Sequence, residues 1–363
     1  MILSIAAVLF TFGLVIFLHE FGHFLVCKLS KIKVEAFSFG FGPELYGRTK
    51  GDTRYSIRAI PLGGYVKPAG ENIEEVSGNP DEYFSKPWYT RLCVVLAGPT
   101  MNYLLAFVLF AGIIYTIGKP VYSSVIGDLA PGLPAAAAGL KPGDKILSVD
   151  GVKVTAWDDM AELIHKKVES DVLLEYDRNG SAATMKIRTR RGVNQETGKD
   201  MGLIGISPDQ SVAAFAKVGA LDSLKFGLGQ CWFWTAYTVK TLASNIRHRE
   251  RPDISGPIGI VNIVSKAAHT GMPDLFFLIA LISVAVGFFN LLPIPLLDGG
   301  HAVLFVMEGI FRRKVTPKVM GWLNSAGIAF VAAIFLFATY SDIKRLVSPK
   351  AAPQKTEQPA KSR

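Results

Sequence analysis

Four long apolar runs dominate the pattern of hydrophobic and polar positions along the chain. They cover residues 1–27, 93–118, 275–297 and 319–341; the first holds one formal charge, Glu20, and the other three hold none. A helix of about 20 apolar residues crosses the hydrocarbon core of a bilayer. The pattern therefore predicts a multi-pass α-helical membrane protein with four transmembrane helices. A cleaved signal peptide is the alternative for the first run, but the run lacks a basic leading region and a small-x-small cleavage site.

The polar segments between these runs predict further elements. Within residues 28–92, the stretch 31–68 is rich in aromatic and β-branched side chains broken by turn signals, which indicates β-hairpins, and a polar loop follows; an ordinary small cytoplasmic sheet is the alternative. Residues 121–209 have the composition of a soluble domain. Residues 298–318 form a link, and residues 342–363, rich in Pro, Lys and Gln towards their end, predict a disordered tail.

The segment 210–274 is harder to assign. It includes Leu221–Ile246, in which Asp222, Lys225 and Lys240 interrupt a stretch of aromatic and aliphatic residues. We interpret this stretch as an amphipathic helix at the membrane interface, where tryptophan is favoured. If it crossed the membrane instead, the number of spans would be odd and the topology would change.

The chain has a net charge of +9, and the positions of its basic residues indicate which segments lie on the cytoplasmic side of the membrane. Basic residues concentrate in 28–92 and 298–318, and segments rich in Lys and Arg stay in the cytoplasm. Residues 119–274 and both termini then lie on the far side, although the basic tail argues for the opposite side. A nucleic-acid-binding surface explains this distribution less well, and we expect no nucleic-acid partner.

The three cysteines, Cys27, Cys93 and Cys231, show no C-x-x-C spacing. They lie in or beside apolar segments and are interpreted as small core residues. A disulfide framework and a thiolate metal site are not expected.

The first apolar run contains the sequence HEFGH at residues 19–23. Residues four apart lie on one face of a helix, so His19 and His23 can bind one zinc ion, while Glu20 can accept a proton from the attacking water. A buried hydrogen-bonded histidine pair is the alternative. It does not account for Glu20, because an acid at the centre of a membrane helix costs about 2.5–3.5 kcal/mol and is usually functional.

A hydrolytic zinc site needs a third protein ligand and an open position. The third apolar run ends in NLLPIPLLDGGH at residues 290–301, where two prolines interrupt the helix before Asp298. Open backbone at membrane depth is tolerated where it lines a wet cavity. Asp298 is therefore the candidate ligand; it could also cap the next helix, and His301 is a rival ligand.

Residues 139–147, GLKPGDKIL, together with VDG at 149–151, resemble a bacterial PDZ domain. The resemblance implies one inserted α+β PDZ domain at 121–209 that binds extended peptides by strand addition. It places Gly202, Leu203 and Ile204 facing the peptide. Without the resemblance, the segment would be only a small α/β module.

The chain as a whole resembles the bacterial site-2 protease family of zinc intramembrane metalloproteases, especially the regulator-of-sigma-E type. The motifs are HEFGH in the first span, PLGGYV at 61–66, GPTMN at 98–102, SGPIGI at 255–260 and LLPIPLLDGGH in the third span. The resemblance implies Zn²⁺ as cofactor, with His19, His23 and Asp298 as ligands and Glu20 as catalytic base. It also implies that Asn290 contacts substrate or stabilises the developing oxyanion. The strands of 31–68, which carry Gly63, Gly64 and Tyr65, match the family's membrane-associated β-hairpin region, which would hold an unwound substrate as an added strand.

The same resemblance implies a place and a partner. The protein is expected in the bacterial inner membrane, with the PDZ domain periplasmic and the active site near the cytoplasmic side. Expected substrates are single-span proteins already trimmed by an upstream site-1 type protease, such as an anti-sigma factor or a signal-peptide remnant. Some relatives carry two PDZ domains, whereas 121–209 leaves room for one, so a two-domain size filter is in doubt.

Two other classes of protein share some of these features. A membrane-anchored PDZ adaptor would have no need of Glu20 or Asp298. A zinc or proton transporter would use intramembrane histidines and acids, but would gain little from a peptide-binding domain, and the sequence shows no inverted repeat.

Overall fold

The computed structural model describes residues 1–193, 199–209, 213–248 and 256–347. The chain divides into two compact units, Met1–Ile113 with Leu221–Arg363, and Ile114–Ala220. In the described residues the helices are α1 (Ile2–Leu29), α2 (Trp88–Ile117), α3 (Pro134–Ala138), α4 (Trp157–His165), α5 (Ala220–His248), α6 (Pro257–Thr270), α7 (Met272–Leu291), α8 (Asp298–Phe311) and α9 (Pro317–Val347). The strands are β1 (Val34–Lys50), β2 (Thr53–Pro68), β3 (Lys119–Tyr122), β4 (Ile126–Leu129), β5 (Lys145–Val149), β6 (Val152–Lys153), β7 (Asp171–Arg178), β8 (Ser181–Arg188), β9 (Arg190–Val193), β10 (Asp200–Leu203), β11 (Ile206–Pro208) and β12 (Ala213–Ala216).

Among the described residues, four helices are long and apolar enough to cross a membrane. They are Ile2–Leu29, Trp88–Ile117, Met272–Leu291 and Pro317–Lys344, and each overlaps one of the four apolar runs in the sequence. The third helix ends at Leu291, six residues before the predicted boundary at 297. Leu292 is extended because it precedes Pro293, and a residue before proline is disfavoured in the helical conformation.

The boundaries of the other predicted segments also shift. The second long helix begins at Trp88, five residues before position 93, and the predicted link 298–318 contains helix α8. Helix α9 continues to Val347, past the predicted start of the tail at 342. The remainder of the predicted disordered tail lies outside the described residues.

The predicted β region is one long, folded hairpin of strands β1 and β2. Residues 36–39 of β1 pair with 64–67 on one side and with 54–57 on the other, and 46–50 pair with 53–57. Two continuous strands therefore make four paired segments in the order 46–50, 53–57, 36–39 and 64–67, of which the central pair, 53–57 with 36–39, has a parallel register and the two outer pairs are antiparallel. Segment 64–67 lies at an outer edge of this small sheet, with neighbouring backbone on one side only among the described strands.

The apolar helices pack closely where glycine replaces a larger side chain. A Cβ added at Gly22 of α1 would lie 2.4 Å from the carbonyl oxygen of Ala97 on α2. At Gly287 of α7, an added Cβ would lie 3.2 Å from the carbonyl oxygen of Pro99. Small residues allow helix backbones to approach in this way in apolar surroundings. Helix α2 is thus held between α1 and α7.

The segment 210–274, predicted as an interfacial region, contains strand β12 and helices α5 and α6. Helix α5 packs along α2: Gly227 lies against Ala111, and the hydroxyl of Thr235 lies 3.0 Å from that of Tyr103. Residues later in α5 contact residues earlier in α2, so the two helices run antiparallel. Trp232 is three-quarters exposed, whereas Trp234 packs against Phe277 of α7.

The smaller unit is built on a four-stranded antiparallel sheet in the order β6-β5-β7-β8. Alternate residues of β7, Val172, Leu174 and Tyr176, are buried, as expected for a sheet with one covered face. Met160 and Ile164 of α4 pack into the same core. Short ladders β3-β12, β4-β11 and β9-β10 complete this α+β unit.

Candidate metal centre

His19, His23 and Asp298 bring three potential ligand atoms to one point. The Nε2 atoms of His19 and His23 are 3.2 Å apart. Asp298 Oδ2 lies 3.1 Å from His19 Nε2, and Asp298 Oδ1 lies 3.5 Å from His23 Nε2. Among the described residues, these three side chains form a cluster with metal-ligating potential. His301, the rival ligand, is not part of the cluster.

These distances fit a tetrahedral metal ion. Zinc binds histidine nitrogen and carboxylate oxygen at about 2.0–2.2 Å, which places the ligand atoms of a tetrahedron roughly 3.4 Å apart. The separations of 3.1–3.5 Å between these atom pairs are close to that edge, with the two Asp298 distances measured to its two different oxygens. One ligand atom from each of the three residues lies within 4.8 Å of the others. Asp298 Oδ2 is also a buried carboxylate oxygen without a well-aligned hydrogen-bond donor among the described residues. A cation at this point would satisfy all three groups.

The chain reaches Asp298 through a break between α7 and α8. Leu296 has a φ of 77°, a conformation that costs a non-glycine residue energy and is often found at functional sites. The break folds back on the first turn of α8: a Cβ at Gly299 would lie 2.2 Å from the carbonyl oxygen of Leu292. At Gly300, the corresponding distance to the carbonyl oxygen of Ile294 is 2.3 Å. The two glycines after Asp298 therefore make room for the break that presents it.

Helix α2 supports the histidines through one face. Val94, Gly98 and Asn102 follow each other at four-residue spacing, so they lie on the same side of the helix. The carbonyl oxygen of Val94 accepts a hydrogen bond of 2.7 Å from His23 Nδ1. Asn102 Nδ2 lies 3.2 Å from His19 Nδ1. A ligating histidine generally makes such a second hydrogen bond, which fixes its ring.

A cavity of about 470 Å³ opens beside the cluster. Its walls come from α1, β2, α2, α7, α8 and α9, and they include Glu20, Asn290, His301, Val66 and Asn324. Glu20 follows His19 directly and receives a backbone hydrogen bond from Val66. The cavity gives the cluster the open side that a hydrolytic metal site needs.

Glu71 adds a second carboxyl group to the wall of this cavity. Burial, together with the nearby negative charge of Glu20, raises the pKa of Glu71 to about 7. The sequence assigned Glu71 only to a polar loop. Its proximity to Glu20 depends on how the end of β2 folds over α1.

The other residues predicted for substrate binding occupy two places. A Cβ at Gly64 would lie 3.5 Å from Glu20 Cγ, so segment 64–67 passes directly beside the candidate base. Gly63 has a φ of 143°, and the Tyr65 hydroxyl accepts a 2.8 Å hydrogen bond from Arg58. In the smaller unit, Gly202, Leu203 and Ile204 line a narrow groove of about 100 Å³ beside α4.

Gly98 and Asn102 belong to the motif GPTMN, but the sequence alone did not predict a role for either residue. A Cβ at Gly98 would lie 2.3 Å from His23 Nε2 and 2.8 Å from His19 Cε1. The signal available in the sequence was an asparagine amide within an uncharged apolar span, since such residues usually bond to a neighbouring helix. The structure shows that this side chain is fully buried.

A bundle of apolar helices in which an H-E-x-x-H helix lies beside one further carboxylate is the arrangement expected of a metallopeptidase that acts in a membrane. The chain belongs to peptidase family M50, whose sequence profile matches residues 7–334. It is a zinc metalloprotease of the site-2 protease family, and Zn²⁺ is its expected cofactor.

Relatives of similar length support this assignment. A candidate zinc metalloprotease of Clostridium acetobutylicum is 34% identical, with 94% of this chain and 97% of the relative covered. The zinc metalloprotease RasP of Geobacillus kaustophilus is 28% identical, with 94% and 98% covered. The PDZ domain of an SdrC-like protein from Listeria monocytogenes, a solved structure, is 24% identical over 26% of this chain and 90% of that domain. Its TM-score of 0.20 does not establish the fold of the smaller unit.

Proposed function

We propose that this protein is an intramembrane zinc endopeptidase that cuts single-span membrane proteins. His19, His23 and Asp298 hold the zinc ion, and Glu20 is the catalytic base. The observation that carries the proposal is that one ligand atom from each of these three residues lies within 4.8 Å of the others beside a cavity, among helices apolar enough to cross a membrane. Membership of a metalloprotease family supports peptide hydrolysis, rather than ion transport, as the function of this site.

Each residue of the centre has a separate task. When bound, Zn²⁺ supplies Lewis-acid chemistry, lowering the pKa of water and polarising a carbonyl group. Glu20, next to His19 and facing the cavity, accepts a proton from the attacking water and passes it to the leaving amine. Asn290, in the last turn of α7, faces the same cavity and is placed to donate a hydrogen bond to the carbonyl oxygen of the bond that breaks.

The outer sheet segment 64–67 is the proposed substrate platform. A peptide bond inside a helix is shielded by the helix's own hydrogen bonds, so the substrate must be extended before it is cut. An edge strand offers backbone hydrogen bonds to such a peptide. Gly63, Gly64 and Tyr65 lie on or beside this edge, and Val66 bonds to Glu20, so a strand added there would pass the candidate base.

Cysteine cross-linking tests the platform. We place cysteine at Tyr65, on the outer edge near Glu20, or at Tyr46, on the opposite outer segment of the same sheet. Both changes are made with Glu20→Gln, so that substrate is held uncut, and with Cys93→Ser, because Cys93 is exposed. A substrate peptide with one cysteine beside its cleavage site should cross-link to position 65 and not to position 46. Equal cross-linking at both would remove the case for this edge.

We place the protein in the bacterial inner membrane by charge and by family. The basic residues of 28–92 and 298–318 support a cytoplasmic location for the hairpin and for the link between the third and fourth long helices. His23 precedes Lys28 by little more than one helical turn, so cutting would occur near the cytoplasmic side. The proposed substrates are anti-sigma factors or signal-peptide remnants, already trimmed by an upstream protease.

The smaller unit is proposed to be a PDZ domain that reads or screens the trimmed substrate. The groove between α4 and residues 202–206 supports this, because an extended peptide could lie along it. Deleting residues 121–209 should then permit cutting of an untrimmed substrate. Unchanged selectivity after the deletion would remove the screening role and leave the catalytic proposal intact.

One experiment separates the three candidate classes. Purified protein is assayed for bound zinc and for cleavage of a synthetic transmembrane peptide in vesicles. A protease binds zinc and cleaves the peptide, a transporter binds zinc without cleavage, and an adaptor does neither. Loss of bound zinc in His19→Ala, together with loss of cleavage, is the expected result; full cleavage without zinc would contradict the proposal.

A further inference from the structure

Asn102 is a fully buried polar residue in the middle of α2. Its backbone carbonyl oxygen accepts a 2.8 Å hydrogen bond from the hydroxyl of Ser283 on α7, which fixes the residue's position. Its side-chain Nδ2 lies 3.2 Å from His19 Nδ1. Its Oδ1 is buried and has no hydrogen-bond partner among the described residues.

The ring of His19 presents one nitrogen to the ligand cluster and the other to Asn102. Nε2 faces His23 and Asp298, at 3.2 and 3.1 Å. A neutral imidazole carries one proton, so Nε2 can bind a metal ion only when Nδ1 carries it. An Nδ1–H group buried at this point then needs an acceptor.

The amide group of Asn102 can supply that acceptor without moving the residue. The oxygen and nitrogen of an asparagine amide exchange places by a half turn, and their assignment follows from the hydrogen-bond network. With Oδ1 towards His19, the orphaned oxygen becomes the acceptor for Nδ1–H. With Nδ2 towards His19, the ring instead keeps its proton on Nε2, pointing into the cluster.

The two histidines differ in how this second bond is made. His23 Nδ1 donates to the backbone carbonyl of Val94, an acceptor that no side-chain change can remove. His19 depends on a side chain, and Asn102 lies two helical turns after Val94 on the same face of α2. A single substitution can therefore release one ligand and leave the other in place.

We propose that Asn102 is a positioning residue that sets the tautomer of His19 and so tunes the affinity of the centre for zinc. The inference rests on the proposed zinc site at His19, His23 and Asp298. Asn102 acts through His19 and takes no part in bond breaking. The motif GPTMN thus supplies two supports for the centre: Gly98 gives the imidazoles space, and Asn102 orients one of them.

The test is the zinc affinity of the purified full-length protein, measured by competition with a chelator. Asn102→Leu keeps the branching of the side chain, although leucine is larger, and cannot accept a hydrogen bond; we expect zinc to bind about 10–100-fold more weakly, as for other outer partners of metal ligands. Asn102→Asp retains an acceptor oxygen and should restore most of the affinity. Thr100→Val is the control, because Thr100 is on the same helix and its hydroxyl bonds only to Leu96 within α2.

The outcomes distinguish this inference from the function on which it rests. If the wild-type protein binds no zinc, or if His19→Ala leaves zinc binding unchanged, the proposed metal centre is wrong. If wild type binds zinc through His19 but Asn102→Leu binds it equally well, only the role of Asn102 is wrong. If both Asn102 variants lose affinity alike, with the same loss of thermal stability, Asn102 is a packing residue and the tautomer role is also overturned.

Discussion

Gly98 determines how closely α2 approaches the two imidazoles. Heavy atoms essentially never come within 3.0 Å of a real Cβ, yet a Cβ at this position would lie 2.3 Å from His23 Nε2. The neighbouring ring of His19 is also within 2.8 Å, so both ligands would have to shift together. The positions of the two imidazole rings therefore depend on the absence of a Cβ at Gly98, which lies on another helix.

We expect Gly98→Ala to displace His19 and His23 and to weaken both zinc binding and cleavage. A displacement of about 1 Å can cost on the order of 10²-fold in rate. Zinc content and peptide cleavage in vesicles measure the effect. Gly112→Ala is the matched control, since it lies on the same helix with no atom within 4 Å of its added Cβ. Equal behaviour of the two variants would show that Gly98 does not set the ligand positions.

At this scale the sequence predicted the residues with local spacing and missed those with distant contacts. His19 and His23 were predicted from their four-residue spacing on one helix face, and Glu20 from its place in the same motif and from the cost of an acid inside an apolar span. Asp298 was identified from its broken helical context, and the structure brings it within 3.5 Å of both histidines. Asn102 and Glu71 were missed because their roles depend on the rotation of α2 and on the fold of the loop after β2.

At the scale of elements, helix ends tie the bundle together. Asp342, buried near the end of α9, accepts hydrogen bonds of 3.0 Å from the backbone of Gly256 and 2.9 Å from that of Gly259. The first turn of a helix has unpaired N–H groups, and a carboxylate there is favourable. Helix α9 is otherwise largely exposed, so this contact is a main attachment to α6.

Asp342→Leu should loosen the start of α6 and the end of α9. One buried and one partly buried N–H group would lose their acceptor, at a cost of about 1–3 kcal/mol for a fully buried group. Amide hydrogen exchange at Gly259 and neighbouring positions should become faster. Asp274→Leu, which changes an exposed acid in the first turn of α7, is the control. Unchanged exchange near Gly259 in the Asp342 variant would show that the contact does not hold these helices.

The sequence predicted the types of these elements better than their packing. The β region was expected, but its four-segment register arises from bulges that place residues 36–39 between two partners. The stretch Leu221–Ile246 was expected to be one amphipathic helix, and α5 is a single helix there. Its contacts with Ala111 and Tyr103 are made by Gly227 and Thr235. They could not be predicted, because the sequence does not show that α5 packs against α2.

At the scale of the whole molecule, the two units differ in what stabilises them. The larger unit packs apolar helices through small residues, and the smaller unit has a conventional core below a sheet. In the smaller unit Asp144 is buried and accepts hydrogen bonds from Arg178 Nε at 2.8 Å and Nη2 at 2.7 Å. The Arg178 guanidinium, with the backbone N–H of Lys141, holds the pKa of Asp144 below its usual range.

The smaller unit should therefore lose stability in acid. A carboxyl group whose pKa is lower in the folded state stabilises the fold above its unfolded pKa of about 4, and this contribution is lost as pH falls through the folded pKa. Amide hydrogen exchange in β5 and β7 of the full-length protein should show the loss below about pH 4. Asp144→Asn should lose about 1–3 kcal/mol at neutral pH and show a flatter pH dependence. If the Asp144→Asn variant lost stability in acid as the wild type does, the loss would have to come from another titratable group.

Long apolar runs with at most one charge were enough to predict the four long helices, because a helix able to cross a bilayer needs a length and an apolar composition that a single sequence displays directly. The division into two units followed from the change to soluble composition at 121–209. The positions that could not be predicted are those where one helix must be cut short or must approach another, as at Leu291 and Gly22.

The central claim is that the zinc centre and Glu20 together hydrolyse a membrane-embedded peptide. The most direct measurement is the rate at which zinc-loaded Glu20→Gln cleaves a transmembrane peptide in vesicles, compared with zinc-loaded wild type. We predict equal zinc content in the two proteins and a rate lower by about 10²–10⁴-fold in the variant, the usual contribution of a general base. A zinc-loaded Glu20→Gln protein that cleaves at the wild-type rate would contradict the account.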